Sequence, residues 1–125
     1  MSIPYREAFL HFERGEYESA KRQAEAALQD ETTDATAFGN ALLLLANAHA
    51  ALGEFDSAEA TYRTCYDYLE EHLGSGYIGL ATVLLDHALL YCHQFPTSNE
   101  SLIKAAVHHL LRAQRLLENT FGVDR

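Results

Sequence analysis

Four of the chain's seven histidines, His87, His93, His108 and His109, fall in its last third, and such a density raises metal ligation as the first chemistry to weigh. Two ligands on one helical face need the four-residue spacing of H-E-x-x-H. His108 and His109 are adjacent and diverge on a helix, and His87 and His93 stand six apart. No metal is predicted, and these histidines are expected to be exposed or hydrogen-bonded. Nucleophilic and phosphate-binding chemistry lacks its motifs too, since the chain has no G-x-S-x-G, no glycine-lysine P-loop and no dinucleotide fingerprint. Gly74-Ser75-Gly76 has no following lysine and reads as an interhelical loop. Glu70 and Glu71 read as part of a solvated helix face. Cys65 and Cys92 form no close-spaced pair, which predicts buried, reduced thiols rather than a disulfide or zinc framework. Neither a catalytic residue nor a cofactor is predicted.

The elements that would carry any site are organised by a repeat. Gly15-Glu16-Tyr17-Glu18-Ser19-Ala20 returns 38 residues later as Gly53-Glu54-Phe55-Asp56-Ser57-Ala58. A period near 40 stacks copies of one supersecondary unit and favours a binding scaffold over an enzyme. The 125 residues suffice for one domain with a real core, and 48% hydrophobic with 22% charged residues is ordinary for a folded chain. Nine basic against eighteen acidic residues give a net charge of −9, which disfavours nucleic acid as partner. The longest apolar run, Ala41 to Ala46, is too short to cross a bilayer, and MSIPYREAF does not resemble a secretory leader. No membrane association is predicted, and the expected location is cytoplasmic.

Six helices are predicted. The first runs from Ile3 to Arg14, with Ser2 as cap, and stops at Gly15; the second runs from Glu16 to about Leu28. After the polar stretch Asp30 to Asp34 comes a third, Ala35 to Leu52, apolar nearly all round, ended by Gly53. The fourth runs from about Glu54 to His72 and the fifth from about Ile78 to His93, with Leu80, Leu84, Ala88 and Tyr91 on one face. Gln94 to Glu100 breaks the pattern, Pro96 forbidding continuation and Thr97 with Glu100 matching a capping box. The last, Ser101 to about Phe121, shows Ile103, Ala106, Leu110, Ala113 and Leu117, and Gly122 ends it.

The repeat resembles the tetratricopeptide repeat, a helix–turn–helix with small, turn and aromatic positions. Ala8, Gly15, Tyr17, Ala20 and Ala27 stand at those places in the first unit, and Ala46, Gly53, Phe55, Ala58, Tyr62 and Cys65 in the second. The third, around Leu84, Ala88, Tyr91, Ala106 and Ala113, is similar to the longer repeats of the kinesin light chain type. Glu7 and His87 depart from the pattern, since both occupy places where that family puts apolar residues. The resemblance implies an all-α, right-handed superhelical stack of three antiparallel helix pairs, one domain over 1–125 with repeats at about 2–30, 35–73 and 78–122. Small residues at Ala8 with Ala20, and at Ala46 with Ala58, would let paired helices approach, with Tyr17, Phe55 and Tyr62 as wedges.

In that family the first helix of each pair lines a concave surface. The resemblance together with periodicity assigns to it Tyr5, Phe9, Phe12, Asn40, Leu43, Asn47, Ala50, Thr82, Leu85, Asp86, Leu89 and His93. The family's carboxylate clamp is not expected, because only Asn47 of its residues is retained. Asn40 and Asn47, seven apart on one face, could grip a peptide backbone, or they could form a plain solvated face. The function implied is an adaptor that holds a peptide or helix of a partner protein. The alternative is a structural subunit that self-associates or docks through its last helix. There Val107 and Leu111, with Leu116 nearby, replace the charged residues Lys21, Glu25, Glu59 and Arg63 of the earlier units. A homodimer through this patch is the expectation.

Overall fold

The computed structural model describes residues 3–30, 34–93 and 100–121, and these form six α-helices with no strand among them. They are α1 (Ile3–Glu13), α2 (Tyr17–Ala27), α3 (Ala35–Ala51), α4 (Phe55–Leu73), α5 (Gly79–His93) and α6 (Glu100–Phe121). The sequence predicts every one of them to within a few residues. The stop after Gln94, the Thr97 cap, the Ser2 cap and the Gly122 stop fall on residues outside the described ones.

The repeated sextet is a repeated structure. Gly15 and Gly53 adopt φ values of 78° and 79°, the left-handed conformation that lets a helix end and the chain reverse. Glu16 then donates its amide to the His11 carbonyl at 2.8 Å, and Glu54 does the same to His49 at 2.9 Å. The side chains copy each other as well: His11 Nδ1 lies 2.7 Å from Glu16 Oε1, and His49 Nδ1 lies 2.7 Å from Glu54 Oε1. These histidine–glutamate pairs clamp the two turns. Lys21 of the first unit reaches Glu54 of the second at 3.2 Å, joining one turn to the next unit. Hydrogen bonds from His49 and then Lys21 hold the Glu54 carboxyl below its ordinary range. Asp34 caps α3, accepting from the Ala37 amide at 2.8 Å, as its side chain type predicts.

Each helix packs on the next along the chain, and α3 also touches both α1 and α5. Small residues make the close approaches: Ala8, Ala20, Ala46 and Ala58 are fully buried. Gly39 belongs to the same set, for a Cβ there would lie 2.3 Å from Leu69 Cδ2, and its carbonyl accepts from Cys65 Sγ at 3.3 Å. The main core combines Leu42, Ala46, Ala58, Tyr62, Cys65, Leu69, Leu80 and Leu90 from α3, α4 and α5. Burial pushes the Cys65 thiol up to about 12, so it is inert. Cys92, expected inside, is exposed.

The last helix corrects the sequence reading most. Ile103 and Leu110 belong to the periodic apolar stripe of the sequence, yet they are 42% and 44% exposed. The face that packs keeps Ala106, Ala113 and Leu117 of that stripe and adds Ala105, His109, Arg112 and Leu116. α6 has more apolar residues than core-facing positions, and the alanines decide which side sits against α5 because they permit the closest approach. Leu116, expected in the outer patch, consequently packs inward on the cluster of Ala81, Leu84 and Ala113. Val107 and Leu111 are half exposed, as predicted.

Candidate functional site

A concave pocket of about 270 Å³ is lined from the three odd-numbered helices, by Phe12 of α1, Asn47 and Ala50 of α3, and Asp86 and Leu89 of α5, with Tyr17, Ala51, Tyr62 and Leu90 completing it. These five residues come from the set that the sequence assigns to the concave face. They meet because α3 contacts both α1 and α5. Phe12 and Tyr17 form an edge-to-face pair, with centroids 5.2 Å apart at 62°. Leu89 is 55% exposed and presents apolar surface at the mouth.

Of the remaining predicted groove residues, those whose side chains are described do not line this pocket. Tyr5 and Phe9, with Arg6 and Leu10, line a second apolar hollow of about 310 Å³ on α1. Burial raises the Tyr5 hydroxyl's pKa. Asn40, Thr82 and Leu85 are exposed, whereas Leu43 is half buried and packs against the main core. His93 closes α5, and its side chain is outside the described part of the chain.

Asn47 differs from the sequence reading in its chemistry. The sequence offers its amide to a ligand or to solvent, but Nδ2 donates to Asp86 Oδ2 at 3.2 Å and Oδ1 accepts from the Tyr62 hydroxyl. The amide therefore ties α3 to α4 and α5. Burial raises the Asp86 carboxyl above its ordinary pKa, while the bond from Asn47 works against that rise. Burial first, and then the Asp86 charge, raises the Tyr62 hydroxyl.

A second pocket, of about 350 Å³, opens between α4, α5 and α6. Sequence reasoning missed it. His87, expected to be exposed or hydrogen-bonded, is 4% exposed, and its Nε2 has no hydrogen-bond partner among the described residues. The ring is sandwiched between Tyr62 at 5.1 Å and Tyr91 at 5.0 Å and meets His109 at 4.5 Å. His109 has both ring nitrogens buried and, among the described residues, unpartnered. Glu59 accepts from the Tyr91 hydroxyl at 2.5 Å and pairs with Arg63 at 3.2 Å, while His87 Nε2 stays 3.8 Å away, beyond hydrogen-bond reach. Burial opposes ionisation of Glu59, and the bonds from Tyr91 and Arg63 outweigh it and hold the carboxyl low. Burial first, then the Glu59 bond and charge, pushes the Tyr91 hydroxyl up to about 12. Burial and then the neighbouring His109 hold the His87 imidazole down at about 4, and burial, His108, Arg112 and Arg63 lower His109 as well. Arg112 lies over the Tyr66 ring, 4.9 Å from its centroid, and donates to the Tyr66 hydroxyl.

The signal for this pocket was in the sequence as two polar residues, His109 and Arg112, spaced three apart and in register with Ala105, Ala106, Ala113 and Leu116 on one helical face. Among the described residues no group of three or more histidine, cysteine or acidic side chains is arranged to hold a metal ion, and no helix is long and apolar enough to cross a membrane. Comparison of the sequence with models of known protein families and with curated proteins finds no match.

Proposed function

We propose that the chain is a protein-interaction scaffold whose concave pocket holds a peptide or helix from a partner protein. The observation that carries this reading is the meeting of Phe12, Asn47, Ala50, Asp86 and Leu89, from three successive first helices, in one apolar-walled pocket. A tetratricopeptide-like, right-handed stack is part of the same proposal. Its support is the duplicated turn at Gly15 and Gly53 and the run of contacts from α1 to α3 to α5. Phe12, Tyr17 and Leu89 supply apolar surface for anchor side chains, and the Asp86 carboxylate supplies an acceptor at the pocket's edge.

Peptides selected from a displayed random library against the whole chain test the reading. Leu89→Glu is the discriminating variant, because an exposed side chain can be changed without disturbing the core. Selected peptides are expected to lose binding to Leu89→Glu while the melting temperature stays put. Equal binding to both proteins places the partner elsewhere and removes the groove reading.

A second reading, a subunit that self-associates or docks through α6, is favoured by one observation. Ile103, Val107, Leu110 and Leu111 form an outward apolar stripe, each between 42% and 53% exposed.

A further inference from the structure

The pocket between α4, α5 and α6 has the parts of an anion site. The rings at its floor hold three buried nitrogens, His87 Nε2 and both of His109, that make no hydrogen bond among the described residues. Buried polar atoms are almost always satisfied, by protein or by something bound, and leaving one unmet is costly. A neutral imidazole carries one N–H, so whichever tautomer His109 adopts, its ring leaves a buried donor with no acceptor among the described residues. The nearest carboxylate to His87, Glu59, is 3.8 Å away and already engaged by Tyr91 and Arg63.

Above the floor stands Arg112, for which no ion pair with a carboxylate occurs among the described residues. Its guanidinium is laid on Tyr66, which fixes the fork in place. A neighbouring hollow of about 200 Å³ shares Tyr66, Glu70 and Arg112 and adds Arg115, Ser75 and Asn119. On a chain of net charge −9, the two hollows together are lined by three arginines, Arg63, Arg112 and Arg115, against two acids, Asp67 and Glu70.

We propose that this pocket binds a carboxylate, with Arg112 as its guanidinium partner and the imidazoles of His87 and His109 donating from the floor. A carboxylate is chosen over phosphate for two reasons. Its plane matches the fork of one arginine, and Asp67 and Glu70 on the α4 wall repel a doubly charged group more strongly than a singly charged one. The volume admits a small organic acid or a single acidic side chain from another protein.

The charged groups facing the imidazoles fix the pH dependence. From α4 these are Glu59, Arg63, Asp67 and Glu70; α5 adds Tyr91, and α6 adds His108 and Arg112. Without a ligand, burial and the cations keep the imidazoles neutral. A bound anion offsets the cations and makes an imidazolium favourable, so binding takes up a proton and tightens as pH falls.

The experiment follows the histidine ring proton resonances of the whole chain during titration with acetate, with a blocked peptide carrying one glutamate, and with inorganic phosphate. Acetate, the peptide or both are expected to move the His87 and His109 signals, with affinity rising about tenfold from about pH 7.5 to 5.5. Binding of acetate alone identifies a free acid as the source, and binding of the peptide alone identifies a partner's side chain; either supports the proposal. Arg112→Gln is expected to weaken binding about tenfold or more, and Arg112→Lys, which keeps charge but loses the fork, to restore only part of it. The proposal is overturned if neither carboxylate moves the imidazole signals, if phosphate binds more tightly than both, or if affinity ignores pH. Those three outcomes are read on the unaltered protein and do not depend on whether a variant folds. Unchanged binding in a folded Arg112→Gln protein overturns it too.

Discussion

The Tyr62 ring stacks on His87 at 5.1 Å and 21°, and its hydroxyl donates to Asn47. One side chain thus serves two sites, lining the concave pocket and packing on an imidazole that lines the pocket between α4, α5 and α6. Its tyrosine identity is needed on both sides. The ring fills the space between helices, and the hydroxyl satisfies an amide that would otherwise be half paired.

Asn47→Ala is therefore expected to destabilise the fold, because it strips partners from both the Tyr62 hydroxyl and the Asp86 carboxylate. Leaving such groups unmet costs about 1–3 kcal/mol. Tyr62→Phe removes a donor and leaves only the Asn47 oxygen open, so a smaller loss is expected. Denaturant unfolding of the two single variants and the double variant measures the coupling; strictly additive losses would mean that the bond between them contributes nothing.

His87 makes stability depend on pH in a definite direction. Its imidazole is held at about 4 in the folded chain, against an ordinary value near 6.5, so the unfolded chain binds the proton more readily. Stability contributed by the neutral ring is full above about pH 6.5 and declines as pH falls toward 4, by about 2–3 kcal/mol. His109, lowered as well, acts in the same sense. Glu59, also held low, contributes stability that is full above its ordinary value of 4.5 and is lost as pH falls from there through its own depressed pKa. His87→Phe preserves a ring between Tyr62 and Tyr91 and is expected to flatten the decline in thermal unfolding between about pH 6.5 and 4. An equally steep decline in that variant would assign the effect to other groups.

Gly39 tests the close approach of α3 and α4. Alanine in a helix is ordinarily better than glycine by about 1 kcal/mol. Here its Cβ would fall 2.3 Å from Leu69 Cδ2 and 2.8 Å from Cγ, and Leu69 is only 3% exposed, with little room to turn. Overpacking is expected to win, leaving Gly39→Ala less stable by about 1–2 kcal/mol. A higher melting temperature than the parent's would show that Leu69 moves aside freely.

Local rules made the helices legible. Gly15, Gly53 and Asp34 act where their conformational and capping preferences say, and the alanines that the repeat marks as small, Ala8, Ala20, Ala46 and Ala58, are all buried. Five residues that line the concave pocket were legible as neighbours, since a period of seven keeps residues on one helical face. What escaped was every contact that depends on how three helices meet. The sequence shows Asn47 on a polar-looking face, but only the approach of α4 and α5 brings Tyr62 and Asp86 to its amide. In α6 the apolar residues outnumber the inward places, so periodicity alone chose Ile103 and Leu110 for the core and overlooked His109 and Arg112.

That excess of apolar residues leads to the last prediction. Ile103, Val107, Leu110 and Leu111 stand at spacings of three and four on the outward side of α6, the arrangement by which one helix packs along another. The helix also carries Lys104, Arg112 and Arg115 against Glu100 and Glu118, so a second copy approaching here avoids most of the repulsion that a chain of charge −9 creates elsewhere. An antiparallel, two-fold pairing of α6 with its own copy buries the stripe on both chains at once. Sedimentation of the whole chain is expected to show a mass that rises with concentration over the micromolar range. Val107→Lys with Leu111→Glu is expected to return it to the monomer with helicity intact, since both side chains are about half exposed. Leu116→Lys serves as the contrasting variant: because Leu116 packs inward, it should lower the melting temperature instead of acting on association alone. A monomer at high micromolar concentration would remove self-association and leave a foreign partner as the reading for the stripe.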